Sequence, residues 1–389
     1  MSFKVEPADI DGFAKLIDRA AEDIQAGVTY IDNGANSDAF QLTDGAAGHL
    51  LWDLAFGNHK ERVEEVKDTL RKFSDVLDTS GKELTKSAKY YRTTDREQAA
   101  SFDAKYPASK RGEPEGVPAG NGGDFRDAAD ARRALKPLEA DPSFFDAAGK
   151  AQNYWEGHVE EFQFNAAFKT FGTALDLVSP SALVTEGLKL FFDFDPFGEL
   201  AAQISGDWEG YLKCSGLWGN LADFCRNVAA NVEHGTSSVS ATWTGNAADA
   251  ACVYFEEFGE ILHSAAESFD SLKKNYEMVA HTVFGVAETV KGGLMLLSDL
   301  ALEAFIAWAA GTEAAATGVG LIGTAAAYAL VADRALKAVA TYEKIIKAID
   351  LAIVITRPLY AECAREGATM QAKIKKFPVP GKSYDNAVV

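Results

Sequence analysis

Cysteine is scarce: the 389-residue chain has four, Cys214, Cys225, Cys252 and Cys363, and no C-x-x-C pair. This excludes a disulfide framework for a chain of this length and leaves the thiols as small core residues. Cys214 and Cys225 lie three helical turns apart on one face, about 16 Å along an axis, too far to bond to each other. Proline is equally thin, at 11 residues, so the Ala-rich and Glu/Lys-rich stretches run uninterrupted and favour helix. Positive charge is also in deficit, with 38 Lys and Arg against 57 Asp and Glu, a net charge of −19. With no basic block to offset it, nucleic acid is excluded as a partner and anionic lipid is disfavoured. The six histidines make no H-E-x-x-H or other ligand spacing. There is no G-x-S-x-G elbow and no P-loop. The sequence therefore leads to the expectation of no enzyme, no cofactor and no metal. After Met1-Ser2-Phe3-Lys4 no apolar stretch follows of the kind a secretory signal peptide needs, so export by the general secretory route is not expected.

What is present is helical periodicity. Ile10, Phe13, Ile17, Ile24, Val28 and Ile31 share one face, and Asn33-Gly34 ends that segment. Val63, Val66, Leu70, Phe73, Leu77, Leu84 and Tyr91 then alternate at three and four residues, a heptad seam weakened by Ser80 and Ser87. A second pair of seams runs through Cys214, Trp218, Leu221, Cys225, Val228 and Val232, and through Phe255, Phe258, Leu262, Phe269, Leu272 and Tyr276. The class expected is all-α, with long antiparallel helical hairpins packed as an elongated bundle with a disordered linker. Five regions are expected: a hairpin over 1–103, a Pro/Gly-rich flexible linker over 104–145 with a short helical stretch around 125–138, a longer hairpin over 146–291, Ala-rich helices over 292–376 and an extended tail over 377–389. Pro358 is expected to kink or stop the last helix.

Trp243-Thr244-Gly245 falls at the turn between the two facing seams. There it resembles the W-x-G turn of WXG-type proteins exported by type VII secretion systems, in which the ring caps the open end of the hairpin and the glycine takes angles a Cβ forbids. Trp155-Glu156-Gly157 and Trp208-Glu209-Gly210 match the same string without that placement. Tyr91-Arg92-Thr93-Thr94-Asp95, at the end of the first hairpin, is similar to the Y-x-x-x-D/E export signal of the same class. Spacing of four puts Tyr91 and Asp95 on one face of a helix. With both signals in one chain, the sequence resembles single-chain substrates that fuse a PE-like to a PPE-like hairpin, over roughly residues 1–290. It departs from the pattern in one respect: Tyr276 is followed four residues on by Ala280, so the second hairpin carries no tyrosine signal of its own.

The resemblance implies a non-enzymatic protein, secreted or held at the cell surface without a Sec signal peptide. The export-signal residues are Tyr91 and Asp95, and the hairpin-turn residues are Trp243 and Gly245. The partner it implies is a type VII export ATPase or chaperone, with homo-oligomer formation as one route of action after export. Two alternatives stand beside it. Residues 293–333 include an uncharged Ala/Gly-rich run, 314–332, and could insert into a membrane as a hairpin, although a buried hairpin is favoured because the apolarity comes from Ala and Gly. The chain could also be a delivery scaffold for a toxin, but little sequence is left for an enzyme domain. Gly318-Val319-Gly320-Leu321-Ile322-Gly323 matches a dinucleotide fingerprint, but no strand precedes it, so it is read as close-packing helix sequence.

Overall fold

The computed structural model describes residues 3–35, 59–105, 123–138, 208–316 and 321–378. Trp155-Glu156-Gly157, the tail beyond 378 and the first half of the G-x-G-x-x-G string, 318–320, lie outside them. Helix accounts for 88% of the described residues and none forms a strand, so the fold is all-α. The helices are α1 (Pro7–Ala35), α2 (His59–Thr93), α3 (Arg96–Asp103), α4 (Trp208–Ser240), α5 (Asn246–Ala316) and α6 (Leu321–Lys376), with a 3₁₀ turn at Arg132–Ala134.

Each predicted seam is the buried face of its helix. Ile10, Phe13, Ile17, Ile24 and Ile31 of α1 meet Val66, Leu70, Phe73, Leu77 and Leu84 of α2, all fully buried. Trp218 of α4 stacks on Phe269 of α5 at 6.0 Å between centroids and meets Tyr276 edge-on at 5.9 Å. The two hairpins then share a single core, because α1 lies against α4. That contact is keyed reciprocally. Phe13 of α1 sits over Gly235 of α4, where a Cβ would come within 2.7 Å of its ring, and Phe224 of α4 sits over Gly27 of α1, where a Cβ would come within 2.9 Å. Since 13 pairs with 235 and 27 with 224, α1 and α4 run antiparallel.

Past Ala280 the first core ends and a second begins, in which Val286, Val290, Leu297 and Leu300 of α5 pack on Ala338, Ile345, Ile349 and Ala352 of α6. The end of α6 returns to the main bundle through Met370, Ile374 and Phe377. Pro358 stands inside α6 and does not end it. Its missing N–H costs one rung of the ladder, and packing on both sides holds the helix across the gap. The outward side of this α5/α6 arm exposes Ile306, Trp308, Leu330, Leu336 and Val354. The Ala-rich hairpin is therefore only partly buried. Among the described residues no helix is long and apolar enough to cross a membrane.

Part of the region expected to be a flexible linker is a packed strap. The Arg19 guanidinium donates to Asp127 and to the Phe125 carbonyl, and Arg132 donates to Asp23. The buried Asn231 side chain accepts from the Ala129 N–H at 2.8 Å and donates to the Ala129 carbonyl at 3.0 Å. The Tyr30 hydroxyl donates to the Lys136 carbonyl at 2.6 Å. Two of the polar residues that make 123–138 read as a linker, Asp127 and Arg132, tie it to α1, and its backbone at Ala129 ties it to α4. The expected short helix there is a single 3₁₀ turn.

Cys214, Cys225 and Cys252 are buried in the helical core. Burial pushes the Cys225 thiol up to about 12, so it stays neutral and unreactive at physiological pH. In a Cys363→Ser variant these three thiols should resist a disulfide reagent at pH 8 and react in full once the chain is unfolded in denaturant. Rapid reaction of the folded variant would show that the α4/α5 core is open.

Candidate functional site at the hairpin junction

The turn 241–245 that joins α4 to α5 closes on Val239, whose carbonyl accepts from the Trp243 N–H at 2.9 Å. This swings the Trp243 ring inward until it is 3% exposed. Its neighbour there is Tyr91, near the end of α2, whose ring meets the indole edge-on with centroids 6.1 Å apart. The sequence-predicted tyrosine and tryptophan, 152 positions apart (243 minus 91), are thus in contact. Tyr91 also meets Phe3 at 6.1 Å and Tyr90 at 5.6 Å, and Tyr90 meets Phe102 at 6.1 Å. Five rings from four chain segments gather at one end of the bundle. The Trp243 indole N–H is buried with no hydrogen-bond partner among the described residues, a local cost of about 1–3 kcal/mol carried at the turn.

Backbone joins the same place from the chain start. Lys4 and Thr244 form an antiparallel bridge, with the Thr244 N–H donating to the Lys4 carbonyl at 2.8 Å and the Lys4 N–H returning to the Thr244 carbonyl at 3.3 Å. The Lys4 ammonium reaches the Ala241 carbonyl. Gly245 has φ +133, a conformation that side chains with a Cβ rarely adopt.

Asp95 does not share a helix face with Tyr91, which corrects the expectation from spacing. Helix α2 ends at Thr93, whose hydroxyl turns back to the Lys89 and Tyr90 carbonyls. Asp95 follows the break as the N-cap of α3, accepting from the Glu97 N–H at 2.9 Å. Two β-branched threonines followed by a strong capping residue favour ending one helix and starting another. The Asp95 side chain is nonetheless exposed, close in sequence to the half-buried Tyr91. Arg92, inside the same motif, forms an ion pair with Asp11 of α1.

Sequence reasoning missed Phe3, Lys4 and Asp103. Asp103, the last residue of α3, places its carboxylate on the first N–H groups of α5. No sequence signal marks such a contact between distant segments, whereas Asp95 with Glu97 two residues on could have been read as a helix start.

Among the described residues no group of three or more His, Cys, Asp or Glu is arranged to hold a metal ion. Comparison with protein-family models, with curated proteins and with solved structures finds no match.

Proposed function

We propose that this chain is a non-enzymatic substrate of a type VII secretion system, exported folded to the cell surface or medium, where it acts by protein–protein contact. The recognition surface is the junction end of the bundle: Tyr91 and Asp95 from the first hairpin and the Trp243-Thr244-Gly245 turn from the second, read together by the export ATPase or its chaperone. The observation that carries the reading is the edge-on contact of Tyr91 with Trp243. Two short motifs that resemble one export system's signals, in a chain whose fold did not have to bring them together, meet at a single point. The exposed Asp95 carboxylate beside them offers a charge for a hydrogen bond to a receptor.

Asp95→Asn tests this with little disturbance to the fold, since asparagine caps a helix as well as aspartate does and stability should change by no more than about 0.5 kcal/mol. The variant should accumulate inside the producing cell while keeping its melting temperature. Tyr91→Ala should do the same with some loss of stability. Normal appearance of both in the medium would leave the motif as ordinary helix-end sequence and remove the type VII reading.

A second reading rests on the α5/α6 arm, whose exposed Ile306, Trp308, Leu330 and Leu336 are unusual for a charged bundle. On that reading the arm acts on membranes. Leakage of dye from zwitterionic liposomes, lost in an Ile306→Glu/Leu336→Glu variant, is the expected result; intact liposomes at micromolar protein would discard it.

A further inference from the structure

We infer that Asp103 is the positioning residue that assembles the recognition surface, by capping α5 from another segment of the chain. The inference rests on the composite-signal reading above. A helix ordinarily takes its N-terminal cap from the residue just before it. At α5 that residue is Gly245, which has no side chain to give. The Asp103 carboxylate fills the role instead, accepting from the Asn246 N–H and the Ala247 N–H, each at 2.9 Å. Its backbone carbonyl accepts from the Asn246 side-chain amide at 3.3 Å. Asp103 is 8% exposed, so these are charge-assisted bonds shielded from water at the positive end of a 71-residue helix.

Two details make the joint specific. A Cβ on Gly245 would lie 2.6 Å from the Asp103 Oδ2, so the glycine of the W-x-G turn is required by the aspartate as well as by its own φ. Helix α3 is eight residues long and starts directly after its N-cap Asp95, a stiff spacer of about 12 Å between the tyrosine motif and Asp103. Its far end is fixed on α5 immediately after the turn that carries Trp243. The relative placement of Tyr91 and Trp243 is thereby held from both sides, by ring contact and by this cap. The acidic residue of the tyrosine motif points α3, and the acidic residue eight positions on fastens it.

Export is the readout, with Asp103→Asn as the variant. The amide oxygen can accept from one of the two N–H groups, its NH₂ opposes the other, and the charge is gone. Exchange of the Asn246 and Ala247 amides should speed up on the order of tenfold, and export should fall by a similar factor with helix content retained. Asp103→Glu, which keeps the carboxylate, should recover part of the export. Val66→Ala is the control for stability alone, since Val66 is buried on α2 some 25 residues from Tyr91, about 38 Å along the helix; it should be exported normally. Retention of Asp103→Asn with export of Val66→Ala is the expected result. Equal retention of the two would reduce Asp103 to a stability role and overturn the inference. Normal export of Asp103→Asn while Tyr91→Ala and Asp95→Asn are retained would overturn it and leave the composite signal standing. Normal export of all of these would remove both. Should the asparagine variant fail to fold, Asp103→Ser, which keeps one acceptor without the charge, is read by the same measurements.

Discussion

Phe258→Asp should destabilise the bundle by at least about 4 kcal/mol, the largest effect expected of any single substitution in the α4/α5 hairpin. Phe258 is fully buried where three segments converge: its ring meets Phe73 of α2 edge-on at 5.8 Å and Phe377, just past α6, at 5.5 Å. Removing a buried phenylalanine side chain costs about 3–5 kcal/mol on its own, and the incoming carboxylate must either remain charged away from water or take up a proton. Domain stabilities are about 5–15 kcal/mol, so much of the folded population is at risk. Glu256→Gln, two residues away on the exposed face, should change stability by no more than about 0.5 kcal/mol. Urea unfolding followed by circular dichroism distinguishes them; similar midpoints would mean that the seam is wrongly phased.

The next largest effect is expected at the glycine notches between the hairpins. Gly235→Leu drives a side chain into the ring of Phe13 and should cost about 3 kcal/mol, since the space between α1 and α4 has no slack. Phe13→Ala alone opens a cavity and should cost a similar amount. In the double variant the leucine enters the volume the ring has left, so the combined loss should be smaller than the sum by about 1–2 kcal/mol. Strict additivity, or an innocuous Gly235→Leu, would show that the two hairpins do not meet through this contact.

These two sites mark what the sequence could and could not reveal. The core faces were legible because burial in a hairpin imposes three-four spacing on large apolar residues, and Phe13, Phe73, Trp218, Phe258 and Phe269 obey it. How the hairpins join was not, because the joint is written in Gly27 and Gly235, which in a helix read only as weak points. The strap was hidden for the opposite reason: Asp127 and Arg132 are polar and Ala129 bonds through its backbone, and nothing local says that Arg19, Asp23 and Asn231 wait for them on other helices. At the junction end, motif and position single out Tyr91, Trp243 and Gly245, and the fold brings Tyr91 against Trp243. The spacing of Asp95 puts it on the helix of Tyr91, whereas it caps the next one, since spacing alone cannot register that α2 stops at Thr93. Asp103 is invisible without the fold, because its partners lie 143 and 144 residues away.

Helix α5 has a consequence for how the molecule can be handled. At 71 residues its contour is about 106 Å, whereas a compact chain of this length has a radius of gyration of about 21 Å. The junction of Tyr91, Trp243 and Asp103 lies at one pole of this rod and the exposed apolar tip of the arm at the other. A body bound at the first pole would leave the second in open solvent, so a helix this long keeps the two ends of the molecule independent of each other.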